Sequence, residues 1–207
     1  TTVSNFISNF KYSNGVTLKV LNGNQVVNEN EVVKSGYKLK VTFVDGSIKE
    51  YIINVNRTFI EYPIDNMTAI DGSHQAGNST EGPGSFAIDN NLSTMWHTNW
   101  NGCQRDEAWI SIDMGKVQPI SMLKYVPRQS GGSNGIITKY EIYVKENESD
   151  QWVKVNTEGD TWKNNGETKY AYFETLNARF VKLQVVESVS DSEKKFGSAA
   201  EIRLGLE

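Results

Sequence analysis

In Trp109-Ile110-Ser111-Ile112-Asp113-Met114-Gly115, three apolar side chains alternate with two polar ones before a glycine ends the run. Successive side chains of an extended strand point to opposite faces, so this pattern buries one face and wets the other. Outward from it, Tyr140, Ile142 and Val144 repeat the alternation, and Val181, Leu183 and Val185 do so again near the end. The loops between are rich in Gly and Asn, and no long helical period interrupts them. The reading is an all-β domain over residues 65–207, a β-sandwich whose loops gather at its two ends, where binding residues usually sit.

The first fifty-odd residues follow a different plan. Val16, Leu18 and Val20 alternate before the turn Asn22-Gly23-Asn24, and Leu39, Val41 and Phe43 alternate likewise. Asp45-Gly46 is a dipeptide favoured in two-residue hairpins, so Tyr51, Ile53 and Val55 are expected to return on one face. Phe6, Ile7 and Phe10 have helical spacing within Thr1–Phe10. Residues 1–56 thus read as a small N-terminal β-rich (α+β) accessory domain, and 57–64, with Pro63, as a connector. The run Thr1 to Phe10 and Gly36 before the last hairpin resemble small repeat modules beside surface enzymes of Gram-positive bacteria. That resemblance implies a spacer, with a first strand preceding Thr1.

Composition narrows the function. The chain has 207 residues, 38% hydrophobic and 22% charged, as an ordinary globular protein does. A net charge of −4 argues against a nucleic-acid partner, which needs a basic face. No apolar run approaches the ~20 residues of a membrane span, and the first ten residues lack the layout of a signal peptide. The chain is therefore read as an internal piece that does not insert in membranes. Cys103 is the one cysteine, so no intrachain disulfide forms, and it is read as an incidental loop thiol. Aromatic residues make up 11% of the chain, a hint of a stacking surface.

Three stretches carry a resemblance over roughly residues 64–207. They are Ala87-Ile88-Asp89-Asn90-Asn91-Leu92-Ser93-Thr94-Met95-Trp96-His97; Tyr125-Val126-Pro127-Arg128 running through Asn134-Gly135 into Tyr140–Val144; and Phe196-Gly197-Ser198-Ala199-Ala200-Glu201-Ile202. In order and separation they resemble family 32 of the carbohydrate-binding modules, within the coagulation-factor discoidin-type superfamily. The resemblance implies a jelly-roll type β-sandwich that binds terminal galactose or N-acetylgalactosamine. It also implies a secreted or cell-surface bacterial protein with a catalytic domain in cis.

Recognition of galactose means recognition of an axial O4, whose orientation leaves the opposite ring face as an apolar patch that an aromatic ring can cover. Donors and acceptors must meet at O3 and O4. His97 is the first candidate for O4, because imidazole gives or accepts a hydrogen bond in a fixed direction. Arg128 offers a fork of donors for two adjacent hydroxyls, and Asn134 both gives and accepts. Trp100 and Phe196 are candidates for the aromatic wall, and Glu81 resembles the family's acceptor in the first loop. Trp96, Trp109 and Trp152 are read as packing. Trp162 and His74 are not assigned to the site.

A second constellation points to a metal. Asp89, Asn91 and Thr94 place oxygens in one tight loop, and Glu201 adds a carboxylate from the far end. Hard oxygen donors suit Ca²⁺. The resemblance implies a structural calcium here, with Phe86 and Ala200 giving carbonyls. Asn90 departs from the family, which usually has Gly, although Asn tolerates left-handed backbone angles. Catalysis finds little support: Asp106 and Glu107 are adjacent, and no Gly-x-Ser-x-Gly turn accompanies either histidine. The rival reading is protein–protein adhesion through the same loops. A monomer is expected.

Overall fold

Thr2 starts the N-terminal unit by capping a helix: its hydroxyl accepts the Asn5 N–H at 3.3 Å, and α1 runs Val3–Ser8. Four strands follow, β1 (Thr17–Asn22), β2 (Gln25–Val26), β3 (Lys38–Thr42) and β4 (Ile48–Ile52), in the antiparallel order β2-β1-β3-β4. Val3, Val20, Val27, Val33, Leu39 and Ile53 form their core. The hairpin at Asp45-Gly46 is wider than a two-residue turn. Only Gly46 there takes a positive φ, and the loop closes through the Phe43 N–H on the Ser47 carbonyl at 2.9 Å. Asp45 caps it instead, accepting the Ser47 N–H and hydroxyl. Tyr51, expected on the buried face with Ile53, is exposed, as is every residue of β4, the edge strand of this sheet.

The computed structural model describes residues 1–55, 57–190 and 195–207 and divides the chain into two units, Thr1–Thr58 and Phe59–Glu207. Asn56, the last residue of the expected accessory domain, lies outside the described residues.

The second unit is built of β5 (Ile60–Glu61), β6 (Thr68–Asp71), β7 (Glu81–Gly82), β8 (Met95–His97), β9 (Trp109–Val126), β10 (Ile137–Lys145), β11 (Val153–Lys154), β12 (Lys169–Ser188), β13 (Ser198–Ala199) and β14 (Glu201–Leu206), with a 3₁₀ turn at Gly84–Ile88. The main sheet runs β11-β10-β12-β9-β14-β5, with β6 also on β9, and a small sheet runs β13-β8-β7. Register shifts split the β9–β12 ladder, so its halves meet different neighbours: Ile110–Asp113 pairs with β6, and Met122–Val126 with β14. Such breaks let a long strand bend around a sandwich. Here Arg179 braces one, gripping Asp113 with two nitrogens, each at 2.8 Å, while Asp113 also accepts the Gly115 N–H. One hydrophobic cluster fills the interior, including Ile110, Ile112, Ile120, Leu123, Ile202 and Leu204. The β-sandwich expected from the sequence is the fold observed.

Trp96 is wholly buried, and its indole N–H donates to the Ser73 carbonyl at 3.0 Å. Trp162 stacks on Tyr140 and Tyr125, with ring centroids 3.8 and 4.9 Å apart. Trp109 and Trp152 differ from the expectation of packing: both are only half-buried, on the outer face of the main sheet. Lys182 lies over both rings and over Tyr143, because an outward strand position can use an amphipathic lysine as its cover.

Candidate functional site

The small sheet assembles the site. In β7–β8 the parallel register sets Glu81 beside Met95 and Gly82 beside Trp96, and in β13–β8 Ser198 faces His97. Strands thus bring together residues far apart in the chain. Glu81, His97, Trp100, Arg128, Asn134 and Phe196 line one pocket of about 300 Å³, joined by Gly131. All six ligand candidates from the sequence meet there. His74 does not: it is exposed and pairs with Asp71 at 2.9 Å.

Glu81 is the hub. One carboxylate oxygen accepts Arg128 Nη2 at 2.8 Å. The other accepts the Trp100 indole N–H at 3.2 Å and lies 3.9 Å from His97 Nε2. Arg128 is buried, and its fork is turned inward more than expected: Nε donates to the Ser130 carbonyl at 2.9 Å and Nη1 to the Asn134 carbonyl at 3.0 Å. A guanidinium has five N–H groups, so one N–H on each terminal nitrogen is left for a ligand. Asn134 contributes its backbone to this frame, while the residue itself is exposed at the rim.

His97 is 1% exposed, and its Nδ1 lies 2.7 Å from the Thr98 carbonyl. A carbonyl only accepts, so the proton sits on Nδ1 and Nε2 is an acceptor. Burial pushes the His97 pKa below its ordinary value, aided by the Arg128 guanidinium. The Thr98 and Asn134 carbonyls and the Glu81 carboxylate oppose this. Phe196 packs at 5.2 Å from the imidazole, while Trp100 is 39% exposed.

Three supporting residues were missed by sequence reasoning. Ser73 accepts the Asn99 N–H through its hydroxyl, at 3.2 Å, besides holding Trp96. Gln75 donates its backbone N–H to the His97 carbonyl at 2.8 Å and accepts the Trp100 N–H at 3.0 Å. Gly131 has φ +75°, and a Cβ there would lie 2.6 Å from Arg128 Nη2. The Gly131-Gly132 pair three residues after Arg128 is the one sequence signal for a tight backbone there. Ser73 and Gln75 act through backbone contacts that no motif encodes.

Of the metal candidates, Asp89, Asn91 and Thr94 meet in the 89–94 loop, and Glu201 of β14 lies near Asp89 and Asn91. Asp89 accepts the Asn91 N–H at 2.9 Å and the Thr94 hydroxyl at 2.7 Å, and Thr94 also donates to the Asn91 carbonyl. Phe86 lies in the preceding 3₁₀ turn, and Ala200 is buried immediately before Glu201. Glu201 is 4% exposed and neither carboxylate oxygen takes a hydrogen bond of regular geometry, although one contacts the Arg203 guanidinium. Burial raises the Glu201 pKa; Arg203 lowers it, repulsion from Asp89 adds to the rise, and the Asn91 N–H opposes it. Among the described residues no three His, Cys, Asp or Glu side chains gather around one point. The donor set is two carboxylates with amide, hydroxyl and carbonyl oxygens, and the under-coordinated Glu201 fits a hard cation.

A larger cavity of about 730 Å³ lies in the first unit, lined by Phe6, Phe10, Leu18, Leu39 and Phe43 among others, with Lys11, Ser13 and Asn54 as polar members. Its surface is mainly apolar while that of the smaller pocket is mainly polar, so the smaller pocket is the better candidate for a sugar.

Residues 69–202 match the profile of the F5/8 type C domain. Over 152 residues, 72% of the chain, the sequence is 32% identical to an A type blood N-acetyl-alpha-D-galactosamine deacetylase from Flavonifractor plautii. Over 116 residues, 55% of the chain, it is 36% identical to a galactose oxidase of Gibberella zeae. The aligned parts span only 18% and 16% of those proteins. Among solved structures, a family 32 carbohydrate-binding module from Clostridium perfringens in complex with GalNAc-β-1,3-galactose shares 33% identity. The match covers 70% of this chain and 99% of that one, with a TM-score of 0.63. The family 32 module of NanJ from the same organism, in complex with galactose, also shares 33% identity, over 71% and 98% of the two chains, with a TM-score of 0.58.

Proposed function

The chain belongs to the F5/8 type C domain family, and from that premise we propose that its second unit is a non-catalytic module binding terminal galactose or N-acetylgalactosamine. The observation that carries this reading is the Glu81 hub, which holds a donor and an aromatic edge beside the His97 acceptor around one pocket. In this reading an axial hydroxyl donates to His97 Nε2 and accepts from Arg128. Asn134 meets the neighbouring hydroxyl at the rim, and Trp100 and Phe196 cover the apolar ring face. A glucose epimer turns its O4 away from the histidine and donates nothing to it.

Binding is modest in this scheme, because each hydroxyl bond replaces one to water and nets ~0.5–1.5 kcal/mol. Retention then comes from linkage to a catalytic domain in cis, through effective concentration. Residues 1–56 serve as a spacer in this scheme. Two of the similar proteins, the deacetylase and a Micromonospora viridifaciens sialidase, are bacterial carbohydrate-active enzymes, which supports an extracellular bacterial setting. A calcium ion held by Asp89, Asn91, Thr94 and Glu201, with the Phe86 and Ala200 carbonyls, would supply cross-linking and charge neutralisation, not chemistry.

Calorimetric titration of galactose, N-acetylgalactosamine and glucose into wild type and His97→Ala tests the proposal. Heat from the first two alone, lost in the variant, supports an axial-O4 site. Silence from all three with folded protein sinks it and leaves protein adhesion through the same loops as the better account.

A further inference from the structure

A buried ion pair with no part in the pocket lies where the 89–94 loop meets β14. Glu201 and Arg203 are alternate residues of that strand, 4% and 8% exposed. Arg203 Nη1 contacts the Glu201 carboxylate and donates to the Ile202 carbonyl at 2.9 Å. Nη2 reaches out of the strand and donates to the Asn90 side-chain oxygen at 2.6 Å. Nε lies 3.8 Å from Glu61 on the neighbouring β5.

Asn90 is the one non-glycine residue with positive φ among the described residues, at 62°. Glycine would suit that backbone better but has no amide to receive a guanidinium. The side chain retained at this strained position is the one that holds Arg203. We propose that Arg203 is a built-in cation: it neutralises Glu201 and ties the 89–94 loop to β14 through Asn90. It does from within the chain what the calcium proposed above would do from outside. That loop runs directly into Met95-Trp96-His97, so the tether keeps the base of the pocket in place when no ion is bound. The inference rests on the calcium reading only for the identity of the outside ion.

Thermal melts of wild type, Asn90→Gly and Arg203→Met, in chelator and in calcium with magnesium as control, test this. Wild type is expected to move by less than about 3 °C between chelator and calcium. Both variants are expected to melt about 5–10 °C below wild type in chelator, with calcium but not magnesium recovering most of the loss. Should Arg203→Met fail to fold with Glu201 unpaired, Asn90→Gly, which removes only the amide, decides alone. Variants that melt with wild type in chelator overturn the tether. So does a wild type that loses as much as they do on chelation. If calcium moves none of the three while the variants still melt low, the tether stands and the calcium reading falls.

Discussion

The pocket and the 89–94 loop are both built by bringing distant polar residues together, but they are finished differently. In the pocket the charged groups already have protein partners: Glu81 takes Arg128 and Trp100, and Arg128 takes two carbonyls besides. At the loop, the buried Glu201 oxygens lack regular hydrogen bonds and lean on one guanidinium. A pocket satisfied in advance suits a neutral ligand that exchanges hydroxyl–water bonds for hydroxyl–protein bonds. A loop balanced around a charge suits a cation, whether it comes from the chain or from solution.

If this contrast holds, substitutions in the pocket change affinity and those at the loop change stability. The largest effect is expected for Arg128→Ala, which removes a donor and leaves Glu81 without its counter-ion. Galactose affinity should fall roughly 100-fold or more by calorimetry. Acid comes next. The pKa of His97 is lowered, so the ring stays neutral, with Nε2 accepting, from pH 7 down past the ordinary histidine value. Affinity should be flat there and then fall by up to about tenfold per pH unit below the depressed pKa. A decline that begins above pH 7 would break the assignment of Nε2 as acceptor.

Trp100→Ala should weaken galactose about tenfold, the worth of one aromatic face, with the melting temperature nearly unchanged. The smallest change in affinity belongs to Glu201→Gln, within about twofold, because this residue does not line the pocket. Its melting temperature in chelator, however, should fall below that of wild type, because the amide leaves the buried Arg203 guanidinium without its counter-charge. A tenfold loss of galactose affinity in Glu201→Gln would erase the distinction between the two regions.

Much of the architecture was legible because burial imposes period-2 alternation on strands. Ile110/Ile112, Tyr140/Ile142/Val144 and Val181/Leu183/Val185 are buried as their spacing requires. The breaks in β9 and β12 were not legible, since a register shift depends on the partner strand and on a brace such as Arg179 to Asp113. Trp109 and Trp152 were misjudged because an outward aromatic under a lysine has the same local pattern as a buried one. For the candidate site, residue type pointed to His97, Arg128 and Asn134, but not to the inward turn of the Arg128 fork. That turn depends on carbonyls of Ser130 and Asn134 whose directions follow from the loop's path.

What the sequence by itself determined is the alternation that makes the strands, the positions where glycine or Asn permits a turn, and the stock of donors, acceptors and aromatic rings. These are properties of single residues and near neighbours. Only the tertiary structure decided that Glu81 unites Arg128, Trp100 and His97, that Gly131 leaves room beside the guanidinium, and that Arg203 grips Asn90. Those contacts join residues up to 113 positions apart. Their geometry exists only once strand pairing has fixed which backbones lie side by side.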